Sequence, residues 1–217
     1  PDEALAAYSK FVAVEPGNPR SWRGRADFYL RSRQWAKAIE DYSKAIALKP
    51  EQWWFYHERG YCHLWLNQFQ QALADYERAV ELNPGDAESW ERRGICRSVL
   101  GSNQGALADF SQALQLNPDN GPVWSRRGSL CADLGHFADA VRDFARVAEL
   151  RPHNAYDRYL LALAQLATGD VQSYRATCTD ALEQFAQTTA VEAARWAAWV
   201  HVLAPDATAD WDAVLRL

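Results

Sequence analysis

Prolines stand at positions 16, 50, 84, 118 and 152, each 34 residues after the one before. That fixed interval restricts the fold more than any other feature. A proline stops a helix, since it lacks an amide hydrogen and its ring clashes with the preceding turn, and the interval leaves room for two helices of roughly three to four turns each. The same residue types return at the same offsets. Trp22, Tyr56, Trp90 and Trp124 open the first helix of each pair, and Ala26, Gly60, Gly94 and Gly128 follow four residues later. Ala38, Ala72, Ala106 and Ala140 lie in the second helix, followed by Tyr42, Tyr76, Phe110 and Phe144, and then by Ala45, Ala79, Ala113 and Val147. The large side chains are knobs and the small ones let two helices approach closely.

Helix pairs of this period carrying these residues resemble the tetratricopeptide repeat, and residues 19–52, 53–86, 87–120 and 121–154 read as four consecutive copies. The resemblance implies an all-α fold, a right-handed superhelical solenoid of antiparallel helix pairs. Residues 1–18 hold Ala4, Tyr8 and Pro16 at the spacing of a second helix alone, so they are expected to form half of a truncated repeat whose apolar face something upstream covers. Residues 155–188 are expected to be a degenerate fifth copy and 189–217 irregular C-terminal helices. In that region Ala186 replaces the expected proline, Trp196 and Trp199 sit in an alanine-rich helix, and Pro205 precedes a last amphipathic piece from Trp211 to Leu217. The chain begins at Pro1 and has no methionine, which suggests a fragment of a larger multidomain protein. The stretch from Tyr159 to Pro205 resembles the end of tetratricopeptide regions in large planctomycete-type bacterial proteins, where the array follows a Ser/Thr kinase or a WD40 propeller domain. That resemblance implies a scaffold attached to a signalling domain; the kinase signature elements themselves do not occur in this chain.

Two departures from the repeat template bear on its chemistry. Where the template has leucine before the small residue, this chain has Arg25, Arg59, Arg93 and Arg127, and the second helices carry Asp41, Asp75, Asp109 and Asp143 just before their aromatic knobs. In the fifth copy Leu161 and Thr177 take those places, so both charges vanish together. An ion pair inside each of the four copies is therefore predicted, one that fixes geometry more than it adds stability, because desolvation offsets much of the attraction.

The helix predicted over Trp53–Trp65 has one apolar stripe too many. Tyr56, Gly60, His63 and Leu64 have the spacing that buries a helix, while Trp54, His57, Tyr61 and Trp65 run up another face. A helix with two such faces is buried twice or waits for a partner. First helices line the groove of this repeat, so Arg20, Arg23, Asp27 and Arg31 of copy one and Glu88, Glu91 and Ile95 of copy three join the aromatic stripe. The wall then runs from basic through aromatic to acidic, and fits a ligand with an acidic end, an apolar middle and a basic end. The alternative is that the second stripe packs on a neighbouring first helix and the arginines are solvated. Some tetratricopeptide domains clamp a chaperone's terminal carboxylate, but here Asp27 and Glu58 stand beside Arg23 at the comparable places and would repel it.

The expected function is a non-catalytic protein–protein interaction scaffold that binds a peptide or partner protein on its concave face. The second reading is a structural subunit that self-assembles head to tail through its cut repeat ends. A net charge of −5 lacks the basic footprint of a nucleic-acid binder. The best apolar run, Val191–Ala204, contains Glu192, Arg195 and His201, so no membrane span is expected. Cys62 and Cys96 lie 34 residues apart, beyond disulfide reach on stacked pairs, and read as core residues of a reducing, cytoplasmic compartment. On one helix His57, Cys62 and His63 would point in different directions, which argues against a metal, and His136, His153 and His201 are isolated. No nucleophile elbow, phosphate loop or paired acids suggest catalysis or a cofactor.

Overall fold

The computed structural model describes residues 2–185. Eleven helices run through them: α1 (Asp2–Val14), α2 (Pro19–Arg31), α3 (Trp35–Leu48), α4 (Trp53–Trp65), α5 (Phe69–Leu82), α6 (Ala87–Val99), α7 (Asn103–Leu116), α8 (Gly121–Asp133), α9 (Phe137–Leu150), α10 (Ala155–Thr168) and α11 (Val171–Phe185). No strand occurs among the described residues, and the fold is all-α, built of antiparallel helix pairs. The chain divides into two compact units, 1–117 with α1 to α7 and 118–217 with α8 to α11. Within each unit every helix packs on the helices before and after it in the chain. The features read at Ala186, Trp196, Trp199, His201 and Pro205, and the pieces 189–217 and Trp211–Leu217, lie outside the described residues.

Local chemistry sets the boundaries. Asn18, Asp86, Asn120 and Asn154 cap α2, α6, α8 and α10, each side chain accepting from an amide of the first turn. The turn inside each pair contains one left-handed residue, at Arg33, Asn67, Gly101, Gly135 and Gly169. The indole N–H of Trp22, Trp90 and Trp124 donates to the carbonyl of Pro16, Pro84 and Pro118 at 2.8, 2.9 and 2.8 Å. The periodic proline thus serves twice, closing one helix and anchoring the tryptophan that opens the next.

The small residues stand where helices meet. A methyl group on Gly94 would come within 2.8 Å of the Phe110 ring, and one on Gly128 within 3.0 Å of Phe144. Beside these contacts each first-helix arginine grips the aspartate of its own pair. Nε and Nη2 donate to the two carboxylate oxygens at 2.7 and 2.8 Å for Arg25–Asp41 and at 2.9 and 2.6 Å for Arg59–Asp75. The distances are 2.9 and 2.6 Å for Arg93–Asp109 and 2.8 and 2.7 Å for Arg127–Asp143. Each guanidinium also lies over the aromatic ring three residues earlier, 4.5 Å from the Trp90 centroid in the tightest case. Two-point contact and a ring above hold a planar cation at a fixed angle, which a lysine could not reproduce.

Three features depart from the sequence pattern. On α4 the fully buried positions are Phe55, Gly60 and Cys62, while Tyr56, His63 and Leu64 are only half-buried. The burying face is thus rotated from the stripe read in the sequence, because α4 packs against both α3 and α5. The fifth copy lacks the periodic pair and is tied to the fourth instead: Arg151, at the end of α9, meets the buried Asp157 of α10 at 2.9 Å through both Nε and Nη2. The half-repeat α1 covers part of its apolar face itself, with Val12 buried and Tyr8 against Phe28, while Phe11 and Val14 stay exposed.

Candidate functional site

The stripe of Trp54, His57, Tyr61 and Trp65 on α4 serves three neighbours. Trp54 turns back toward α2, where the Arg23 guanidinium lies 4.3 Å from its ring centroid. His57 faces α6: its Nδ1 is 2.8 Å from the Ser89 hydroxyl and 3.5 Å from the Asp86 carboxylate, and its Nε2 is 4.0 Å from Glu88. Burial pushes the imidazole pKa down despite the two acids beside it, with Arg92 adding to the effect. Tyr61 and Trp65 turn to α3. Trp35 stacks on Trp65 with ring centroids 5.5 Å apart and planes 7° from parallel, and meets Tyr61 edge-on at 6.1 Å. Trp65 stays 57% exposed, so the stack ends in open solvent.

Between α2 and α4 an open pocket of about 190 Å³ is lined by Arg23, Asp27, Leu30, Arg31, Tyr42, Trp54 and Glu58. Asp27 forms its wall: the Tyr42 hydroxyl donates to Oδ1 at 2.7 Å and Arg23 Nε contacts Oδ2 at 3.2 Å. Glu58, one turn after Trp54, is half-buried, and no hydrogen bond or ion pair engages its carboxylate among the described residues. Burial, with Asp27 and Glu88 nearby, holds its carboxyl proton up to a pKa of about 7, against the smaller opposing pull of Arg23. The step from repeat two to three carries a different side chain. Arg92 stands at the place equivalent to Glu58, bonded to Glu88 at 2.9 Å and lying 5.7 Å from the Tyr61 centroid.

Of the residues singled out in the sequence, Arg23, Arg31 and Trp54 therefore meet in one pocket. His57, Tyr61, Glu88 and the half-buried Ile95 belong to the next step along the wall. Arg20 is exposed on α2 outside the pocket lining. Glu91 is a correction to the acidic wall: it is only 8% exposed, turned into the fold, and offers no carboxylate to a ligand. Leu30 and Tyr42 were missed; Tyr42 read as a core knob, and nothing in its repeat position says that its hydroxyl reaches a groove acid. In the second unit the equivalent step holds a pocket of about 210 Å³ whose lining includes Ser129, Asp133, Phe137, Leu160 and Leu163, with Leu160 at the place of Glu58. The same backbone step is thus lined by charges of both signs in one unit and by mostly apolar side chains in the other.

All four cysteines are free and buried, and burial pushes the Cys62 and Cys96 thiols up to about 12, so they remain protonated and unreactive. No described helix is long and apolar enough to cross a membrane.

Models of the tetratricopeptide repeat match residues 1–52 and 126–188, and, in a second variant, residues 27–88 and 60–123. The chain belongs to the tetratricopeptide repeat family. No curated protein matches it in sequence. Among solved structures this tetratricopeptide chain is similar to the MamA protein, at 17% identity and a TM-score of 0.73 over 80% of this chain and 95% of that one. It is similar to YrrB, described as a TPR protein with an unusual peptide-binding site, at 18% identity and a TM-score of 0.69 over 98% and 97%. The first TPR of Spaghetti (RPAP3), solved bound to the HSP90 peptide SRMEEVD, aligns at 23% identity and a TM-score of 0.52 over 54% of this chain and 92% of its own. Likenesses at these identities establish the fold alone.

Proposed function

We propose that this chain is a non-catalytic scaffold that binds a peptide or a segment of a partner protein along the first helices of its N-terminal unit. The observation that supports it best is the pocket between α2 and α4, open to solvent and walled by Trp54, with the exposed Trp65 further along the same helix. Aromatic rings at an open groove give a peptide large contact area at low entropic cost, and a flanking set of charges fixes its register. YrrB and the Spaghetti domain are described as peptide binders on the same fold, which agrees with this reading. The repeats serve as a support, and the free thiols fit a reducing compartment such as the cytoplasm. Attachment to a kinase or propeller domain in a larger bacterial protein remains part of the proposal.

A displayed random-peptide library selected on the immobilised full chain tests this function. Selected peptides are expected to lose binding to the double variant Trp54→Ala/Trp65→Ala while its far-UV circular dichroism stays helical. Because Trp54 also packs on the core, Trp65→Ala alone serves as the second variant, with a partial loss expected. Peptides that bind both variants as they bind the parent chain overturn the groove.

The exposed Phe11 and Val14 on α1 favour a second reading, head-to-tail self-association. Sedimentation velocity over a hundredfold concentration range decides it: a growing sedimentation coefficient supports assembly, and a constant one rejects it.

A further inference from the structure

Asp27 on α2 and Glu88 on α6 both come close enough to act on Glu58 of α4, and each of those two has a cation of its own. Asp27 has Arg23 and the Tyr42 hydroxyl, and Glu88 has Arg92. Glu58 has no ion pair among the described residues, and the two other acids outweigh Arg23 in their effect on it. The repeat does not impose this arrangement. At the places equivalent to Glu58 the other copies carry Gly24, Arg92, Arg126 and Leu160. A half-buried carboxylate without a cation, in a field already negative, is costly in the empty protein and lowers its own charge by holding a proton. The wall beside it shows which ligand chemistry it tolerates. The Trp54 ring already carries a guanidinium against it, that of Arg23 at 4.3 Å.

Resting on the groove reading above, we propose that the pocket between α2 and α4 takes a basic side chain of the bound peptide, arginine or lysine, with its charged head at Glu58 and its stem beside Trp54. The cation supplies the counter-ion Glu58 lacks, while Arg23 remains with Asp27. An acidic side chain at the same place would meet Glu58 and Asp27 together. This reverses the polarity expected from the arginines of copy one: Arg23 is engaged internally, and Arg31 stands at the exposed rim.

The test uses the full chain and four pools of capped random nonapeptides whose central residue is fixed as arginine, lysine, glutamine or glutamate. Binding is read by equilibrium capture at low and at physiological salt. The arginine and lysine pools are expected to bind about tenfold more strongly than the glutamine pool, the scale of one hydrogen bond to a charged group, and the glutamate pool most weakly. The preference should fall with salt, as for a partly screened pair. Glu58→Gln should bring the arginine and lysine pools down to the level of the glutamine pool, while Glu58→Asp, which keeps the charge, should retain most of the preference. Glu58 makes no hydrogen bond among the described residues, so neither variant breaks one of those, and matching melting curves confirm folding. A glutamate pool that binds as well as the arginine pool, or a preference that survives Glu58→Gln, overturns the assignment. If binding then still depends on Trp54 and Trp65, the groove stands and only the basic side chain is lost. If no pool binds the parent chain, groove and assignment fail together.

Discussion

Arg33 and Asn67 adopt φ of +56° at the turn position that glycine fills in the next three copies, where φ is +81°, +77° and +79°. A side chain there crowds the following carbonyl by about 1–2 kcal/mol, whereas glycine pays mainly through the freedom of its unfolded chain. Arg33→Gly is therefore expected to stabilise the protein by about 0.5–1 kcal/mol, measured by urea unfolding; no gain would show that Arg33 makes a compensating contact. Glu58 gives a second residue-scale prediction. Its carboxyl is raised from an ordinary 4.5 to about 7, chiefly by burial, so the folded chain holds this proton more tightly than the unfolded one. Its stabilising contribution is complete below about pH 4.5 and is lost as pH rises through about 7. Glu58→Gln should accordingly be the more stable chain at pH 8, by about 1 kcal/mol once solvent screening is counted, and should lose that advantage at pH 4.5. Thermal melts of both proteins at the two pH values check the sign.

At the scale of the element, one device recurs: a proline carbonyl holds a tryptophan, whose ring covers an arginine, which grips an aspartate beside the knob of the second helix. The device fixes the angle between paired helices, and the small residue next to the arginine fixes their distance. Gly94 is the tightest of these positions, with a added methyl 2.8 and 2.9 Å from the Phe110 ring and 3.3 Å from Asp109 Cβ. The better helix propensity of alanine, worth about 1 kcal/mol, cannot offset the displacement of a buried ring. Gly94→Ala should destabilise the chain by about 1–2 kcal/mol. Gly60→Ala, whose nearest contacts are 3.1 Å, should cost less. Melting both variants beside the parent tests the order, and equal losses would show that ring displacement does not set the cost. Small-beside-large spacing was legible in the sequence because it repeats four residues apart in every copy. The rotation of α4 that buries Phe55 in place of Tyr56 was not, since it depends on how two neighbours share one helix.

For the whole molecule, helices that pack on their chain neighbours within each unit make stability a sum of local terms. Asp75→Ala leaves the Arg59 guanidinium without its acid, a loss of about 3–5 kcal/mol when one partner of such a buried pair is removed. Hydrogen exchange read by mass spectrometry should show the protection lost in α4 and α5 and kept in α10 and α11; uniform loss would mean that the chain unfolds as one cooperative body. The period, the helix limits such as Trp53–Trp65, the family and the arginine–aspartate register all follow from residues near one another in the chain and copied from unit to unit, so reading along the sequence sufficed. Only the packed structure decided which charges are compensated. Glu91 is buried and Glu58 faces an open pocket with no ion pair among the described residues, because burial and approach depend on a neighbouring helix whose crossing angle no periodicity encodes, whereas the Arg92–Glu88 pair lies within α6 itself.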